Sequence, residues 1–457
     1  MDSLEMDELA REVDALVAAL DEERFRHVAG MEGEPALERL FSARHRAAHR
    51  ETAAALREAG HEDLARRVAS LRAERAAAEG EERWRAAEAR ATGTGPRGPE
   101  PLSALELAVP RERDAERRAA LSRAAADALA AAASAREASA EARARAGAEV
   151  GLAPDWRAVV EGDEVLAASD DAYRDVLAFA ARRELGDAAR DAGLARGDLL
   201  RVLALVRWDG LFKAGMLPLS LRLSAETLGL DLGRIRVDAG DRPAQWPGAH
   251  AVGSRVSFRA RGGAGDWQDL LAASGRALAA AAARPSARDP VLGEALAWLL
   301  ATLLLEPRWL AERADVEKRH APDVVRDLAL RRLFSLRADA AALRVATEVE
   351  RGLSGAAWRD AHLEALARAT GAAWDRVRAS RDADAPRLAA RVCGAGAGER
   401  LRADVRERFD EDWWRNPRTA AFLAGLLASG ALPAAAGPAP AAEAARTLAA
   451  RLEGNRR

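Results

Sequence analysis

The chain has 457 residues, enough to bury one large core or two to three smaller ones. A formal charge of −2, with 31% charged and 49% hydrophobic residues, argues against a nucleic-acid or acidic-polymer partner and fits an ordinary folded protein in water. The single cysteine, Cys393, excludes an intramolecular disulfide and a cysteine-based zinc site.

The opening Met1-Asp2-Ser3-Leu4-Glu5 is acidic and carries no signal-peptide pattern. Residues 4–90 read as helices, with apolar residues at three-to-four spacing in Leu37-Glu38-Arg39-Leu40-Phe41 and Leu64-Ala65-Arg66-Arg67-Val68. Within them, His45 and His49 place two imidazoles at i and i+4; with no neighbouring Glu or third ligand they read as a solvated face. Thr92-Gly93-Thr94-Gly95-Pro96-Arg97-Gly98-Pro99-Glu100-Pro101 is a break. The Ala/Arg/Glu stretch over 104–150 has very high helix propensity and a mostly alanine apolar face, so it should pack closely or stay partly exposed. Further helices are expected over 165–190, 196–216, 266–283, 290–305, 312–350, 355–380 and 399–430. The exception lies between 234 and 260. There Ile235-Arg236-Val237-Asp238 and Arg255-Val256-Ser257-Phe258-Arg259 alternate like strands, and Gly240, Pro243, Pro247, Gly248 and Gly253 punctuate the stretch between them. Gly262-Gly263-Ala264-Gly265 lacks the Lys-Ser/Thr of a phosphate loop and reads as a hairpin turn. No serine stands in a G-x-S-x-G context. The longest apolar run, near 295–305, is too short to span a bilayer, and the tail over 432–440 is Pro/Ala-rich. These features imply a cytoplasmic protein without a membrane partner and leave its oligomeric state open.

One stretch carries chemistry by what it lacks. Asp266-Trp267 leads into Leu270-Leu271-Ala272-Ala273-Ser274-Gly275-Arg276-Ala277-Leu278, and Gly293-Glu294-Ala295-Leu296 follows. The frame resembles the active-site helix of the zinc peptidases of the thimet oligopeptidase and oligoendopeptidase F family, a gluzincin fold. Their helix reads roughly L-[LF]-H-E-x-G-H-A-L-H. The resemblance covers most of the chain and is strongest over roughly 230–430. It takes in Leu305-Glu306-Pro307-Arg308-Trp309-Leu310 and Arg406-Glu407-Arg408-Phe409-Asp410-Glu411-Asp412-Trp413-Trp414-Arg415-Asn416-Pro417, whose Trp pair is of the packing kind.

The resemblance implies a mainly α fold: two helical lobes around a deep cleft, with a small sheet beside the helix that would hold zinc. It divides the chain into an N-terminal helical region (1–91), a linker (92–101), a helical region of the first lobe (102–229), a peptidase-like core (230–431) and a flexible segment with a short last helix (432–457). In such enzymes two imidazoles one helical turn apart hold Zn²⁺ and the Glu beside the first activates the bound water. Here Ala272 and Arg276 stand at the ligand positions and Ala273 at that of the general base. Glu294 matches the third-ligand position, and a pair with Arg276 is expected in place of the metal. If Asp382-Ala383-Asp384 marks the place of the family's tyrosine segment, Leu388 and Val392 replace the tyrosines and 393–398 replaces a helical run; Tyr173 lies far upstream. The expected function is therefore a catalytically inactive metallopeptidase-like protein without a cofactor, binding a peptide or protein through the cleft. An active zinc oligoendopeptidase with unusual ligands and a structural subunit of an active paralogue are the alternatives. His250 is expected to hydrogen-bond at a cleft wall and His320 to lie at the surface.

Overall fold

The computed structural model describes residues 3–152, 155–186, 193–382, 384–432 and 441–453. Most of the Pro/Ala-rich stretch after Leu432 lies outside these residues, as does Ala383. The chain is mainly α-helical with small sheets, and its helices group around separate cores in two lobes.

In the first lobe the helices Ser3–Val28, Glu62–Arg90 and Ala115–Glu149 pack together. The expected alanine face packs closely. Ala65, Ala69, Ala73, Ala77 and Ala78 are buried on one long helix, and Ala124, Ala125, Ala128 and Ala132 on the other. A Cβ at Gly80 would stand 2.8 Å from that of Ser139, so only small residues allow this approach. Asp114 caps the second long helix by accepting from the Arg117 amide at 2.8 Å. Between the two, the Gly/Pro-rich break is an antiparallel hairpin of β1 (Thr92–Gly95) and β2 (Gly98–Pro101).

The second lobe is built on one large core running from Ala158 to Leu452. It holds the helices Trp156–Leu185, Ala264–Ala282, Pro290–Ala301, Ala321–Glu350, Ala385–Phe409 and Ala441–Glu453. Several expected helices are shorter, each for a local backbone reason. The one from Arg196 stops at Leu203 because Leu205 turns left-handed (φ 56°). The one from Gly355 ends at Thr370, where Gly371 (φ 72°) forms the C-cap, and β7 (Ala372–Ala373) then pairs in parallel with β3 (Leu194–Ala195). The expected 312–350 helix breaks after Arg313 near Asp315 (φ 54°) and resumes at Ala321. In place of one helix over 399–430, Ala385–Phe409 ends at Asp410 (φ 69°) and Pro417–Ser429 starts anew under the Asn416 cap. Trp413 and Trp414 fill the corner between them, fully buried.

The sheet has three strands. β4 (Arg236–Asp238) runs parallel to β6 (Arg255–Arg259), and β5 (Gly248–Val252) pairs antiparallel with β6, opposing His250 to Ser257. The β5 strand lies inside the stretch that Pro and Gly punctuate, so the sequence read it as a connection. Gly262 and Gly263 (φ 91° and 80°) do not turn a hairpin; they lead β6 into the helix that begins at Ala264. No single helix among the described residues is long and apolar enough to cross a membrane. The bent pair Pro290–Leu305 and Pro307–Arg313 passes by composition only, turns by 80°, and supplies buried core side chains.

Candidate functional site

Three helices meet where the resemblance places the active site, and aspartates near their starts fix how each begins. Asp266 accepts from the Gly262 amide at 2.6 Å ahead of the first helix. Asp289 accepts from Val291 at 2.8 Å and precedes Pro290, a residue preorganised for a first turn. Asp384 caps the third helix through the Arg387 amide at 3.3 Å. Pro290–Ala301 is the middle of the three. On one side a Cβ at Gly275 would come 2.7 Å from the Ala297 amide nitrogen. On the other, Gly394 faces the Glu294 Cβ and Gly398 the Trp298 Cβ and the Ala295 carbonyl oxygen as closely. The run Cys393-Gly394-Ala395-Gly396-Ala397-Gly398 is thus helical, contrary to the sequence expectation. Glycine costs a helix about 1 kcal/mol per residue in propensity, and contact between helix backbones compensates.

These contacts decide what the first two helices enclose. They touch directly, with no open space between them. Ala272, 4% exposed, packs on Ala297 and Ala301 as a small alanine wall, and Ala273 is fully buried. One turn on, Arg276 reaches across to the middle helix. Its Nε donates to both carboxylate oxygens of Glu294 at 2.8 and 2.9 Å, and Nη2 lies 2.8 Å from Oε2. Burial alone would raise the Glu294 carboxyl, but Arg276, with Arg391 and Arg387 beyond it, holds it below the ordinary range. The donor set does not suit zinc: two methyl groups offer no lone pair, a guanidinium is a fixed cation, and both Glu294 oxygens are engaged. Among the described residues no group of three or more His, Cys, Asp or Glu is placed to hold a metal ion.

The sequence missed a belt of arginines around this pair. Arg331 donates to Gln268 Oε1 at 2.7 Å and lies 2.9 Å from Asp269, which also pairs with Arg261. Arg391 lies 2.9 Å from Asp339. Arg332 stacks on Trp298 with its Cζ 4.2 Å from the ring centre. Burial and the neighbouring Arg276 push Arg332 down to about 9, and Arg391 and burial push Arg387 down to about 10, so both stay charged at neutral pH. His250, on β5, bonds through Nε2 to the Pro247 carbonyl at 3.1 Å. Burial drives it down to about 4, and Arg261 and Arg387 add to the effect, so its ring is neutral. The one available signal for these residues was periodicity: Arg387 and Arg391, like Gly394 and Gly398, stand at i and i+4 on one helix.

The other sequence candidates lie apart from this site. His45 is exposed on a short 3-10 turn, and His49 follows it. His320 is half-buried and meets the Trp208 ring edge-on at 6.1 Å, so it is no simple surface residue. Leu388 and Val392 are core residues. Tyr173 is fully buried and donates to the Thr370 carbonyl at 3.0 Å.

Between the lobes, Arg143 of the first pairs with Asp384 of the second at 3.1 Å. Glu350 stands near both; burial, with Asp384 and Asp155 nearby, raises it to about 7 against the pull of Arg143. A carboxyl with a raised folded pKa contributes stability at low pH and loses it as pH climbs from the unfolded value to the folded one. The chain should therefore lose stability between about pH 4.5 and 7 from this group. Glu350→Gln should raise the urea midpoint at pH 8 and leave it nearly unchanged at pH 4; equal shifts at both would assign the effect to packing.

No family model and no curated protein matches the chain. The fold is similar to that of a protein assigned as an oligoendopeptidase F from Bacillus anthracis strain Ames. The similarity spans 99% of this chain and 86% of that one, with 10% identity and a TM-score of 0.53. PZ peptidase A with an inhibitor aligns over 95% of this chain and 86% of its own at 13% identity and a TM-score of 0.49. A further assigned oligoendopeptidase F does so over 95% and 85% at 14% identity and 0.48. At such identities the likeness is one of fold: the chain has the mainly α fold of an oligoendopeptidase F-like structure.

Proposed function

We propose that this chain is a peptidase-like binding protein that takes a peptide or protein partner into its cleft and does not hydrolyse it through zinc. The observation that carries this reading is the two-pronged Arg276–Glu294 bridge. It joins the two helices that a metal would join and uses the carboxylate that would be the third ligand. Ala273 leaves no carboxylate to take a proton from an attacking water. The Lewis acid and the activated water each supply several kcal/mol of barrier lowering in zinc peptidases, so the absence of both should abolish turnover.

The purified protein should hold no stoichiometric zinc by elemental analysis and should leave a mixed quenched-fluorescence peptide library intact. Zinc near one equivalent together with chelator-sensitive cleavage would overturn the proposal.

A further inference from the structure

We infer that the N-terminal helix, Ser3–Val28, is an ionic clasp: its acidic stripe holds the connection between the two helices that the Arg276–Glu294 bridge joins, and ionic strength sets how firmly it holds. The inference goes beyond the binding reading and does not depend on what the chain binds.

One side of this helix is fixed by apolar burial: Val13, Leu16, Val17 and Leu20 lie in the core of the first lobe. Another face presents Asp14 and Asp21, two turns apart and so in line, with Glu22 beside Asp21. Asp14 pairs with Arg284 at 2.7 Å and accepts from the Ser286 amide at 2.7 Å. Asp21 pairs with Arg288 at 2.5 Å, and Glu22 pairs with Arg255 at the start of β6. Every acid of this set is on the helix, and every base is on the second lobe.

Arg284, Ser286 and Arg288 all belong to the connection over 283–289, between Ala264–Ala282 and Pro290–Ala301. Arg276 stands less than two turns from one end of that connection, and Glu294 about one turn from the other. Arg288 also donates to the Ala280 carbonyl at 3.2 Å, so it joins Asp21 to the last turn of the first of these helices. The Arg284 side chain is 63% exposed and the other partners are partly exposed, so salt screens these pairs. The C-terminal end of the clasp helix is held differently. The Trp246 amide donates to the Val28 carbonyl at 3.1 Å, and a Cβ at Gly30 would stand 2.2 Å from the Gln245 amide nitrogen. Those backbone contacts involve no charged group, and salt does not screen them in this way. The helix therefore has one anchored end and one stripe that releases.

The test is hydrogen exchange by mass spectrometry on the full chain, read over 283–289 and over 244–247. Exchange over 283–289, which includes the Ser286 amide, should speed up about tenfold from low salt to about 1 M salt, where screening acts within about 3 Å. Weakening two partly exposed pairs and one charge-assisted hydrogen bond is worth roughly that factor in local opening. Exchange over 244–247, at the anchored end, should stay slow throughout. Asp14→Ala combined with Asp21→Ala should show the fast rate over 283–289 already at low salt and little further response to salt, with melting curves confirming that the variant folds. Asp63→Ala, an exposed acid on another helix of the same lobe, should change neither segment. A rate over 283–289 that ignores salt in the unaltered protein would overturn the clasp. So would a salt response that survives intact in the double variant, which would assign it to other pairs. Joint opening of 244–247 and 283–289 would show that the whole helix leaves, and would overturn the anchored end. Each of these results leaves the binding reading where it stands.

Discussion

Gly394→Ala and Gly398→Ala are each expected to destabilise the chain by about 3 kcal/mol or more, at or above the upper end for overpacked cores. A Cβ at Gly394 would collide with the Glu294 Cβ and come 3.1 Å from its carbonyl carbon. A Cβ at Gly398 would lie 2.5 Å from the Trp298 Cβ and 2.7 Å from the Ala295 carbonyl oxygen. These are backbone and stem atoms of a buried helix, so they cannot swing aside, and two helices would have to separate. The propensity gain from replacing a helical glycine, about 1 kcal/mol, opposes this but is too small to win. Gly425 supplies the control: it also lies inside a helix, yet a Cβ there meets nothing within 4 Å. Gly425→Ala should stabilise by up to about 1 kcal/mol in urea denaturation. If Gly394→Ala behaves like Gly425→Ala, the close contact between the helices is wrong.

Arg276→Ala should cost roughly 3 kcal/mol, the low end for breaking a buried ion pair. The low end applies because the Arg276 side chain is 29% exposed while Glu294 is 13% exposed. The cost comes mainly from the carboxylate left behind, held in a low-dielectric site without its closest partner. Arg276→Met combined with Glu294→Met should therefore be much less destabilising than Arg276→Ala, since neither charge is then stranded and the side chains are flexible enough to repack. Thermal or urea unfolding of the three proteins checks this. An unchanged stability in Arg276→Ala would show that the bridge contributes nothing to joining the helices. It would also remove the observation on which the proposed function stands.

The elements with strong local signals were legible. The tryptophan pair at 413 and 414 announced packing anchors, and the alternation over 235–238 and 255–259 announced strands. The placement of Arg276 opposite Glu294 was legible too, because the resembled frame puts both at a metal's positions. Other parts were hidden for physical reasons. The glycine-rich run at 394–398 looks like a break because propensity is a local quantity, while the contacts that Gly394 and Gly398 make come from a segment 100 residues earlier, as with Gly398 and Trp298. Leu205, Asp315 and Asp410 take left-handed backbone that their residue types do not advertise. Arg332 carried no signal and Arg387 only its i, i+4 spacing to Arg391, because Lys and Arg together number 70, nearly all of them Arg, and sequence alone does not separate a buried arginine from a surface one.

The alanine wall at Ala272, Ala297 and Ala301 also bears on which sequences this fold can still reach. A seam of methyl groups between helices in backbone contact has no room for an imidazole, so His at position 272 would need space that the middle helix fills. Making that space means moving the helix, and Gly275 on one side with Gly394 and Gly398 on the other have set its position. A substitution toward a metal ligand is then costly until several neighbours have already changed. Small residues in such a seam act as a ratchet: each close approach they permit raises the cost of any larger side chain, and the route back to a donor-lined site narrows.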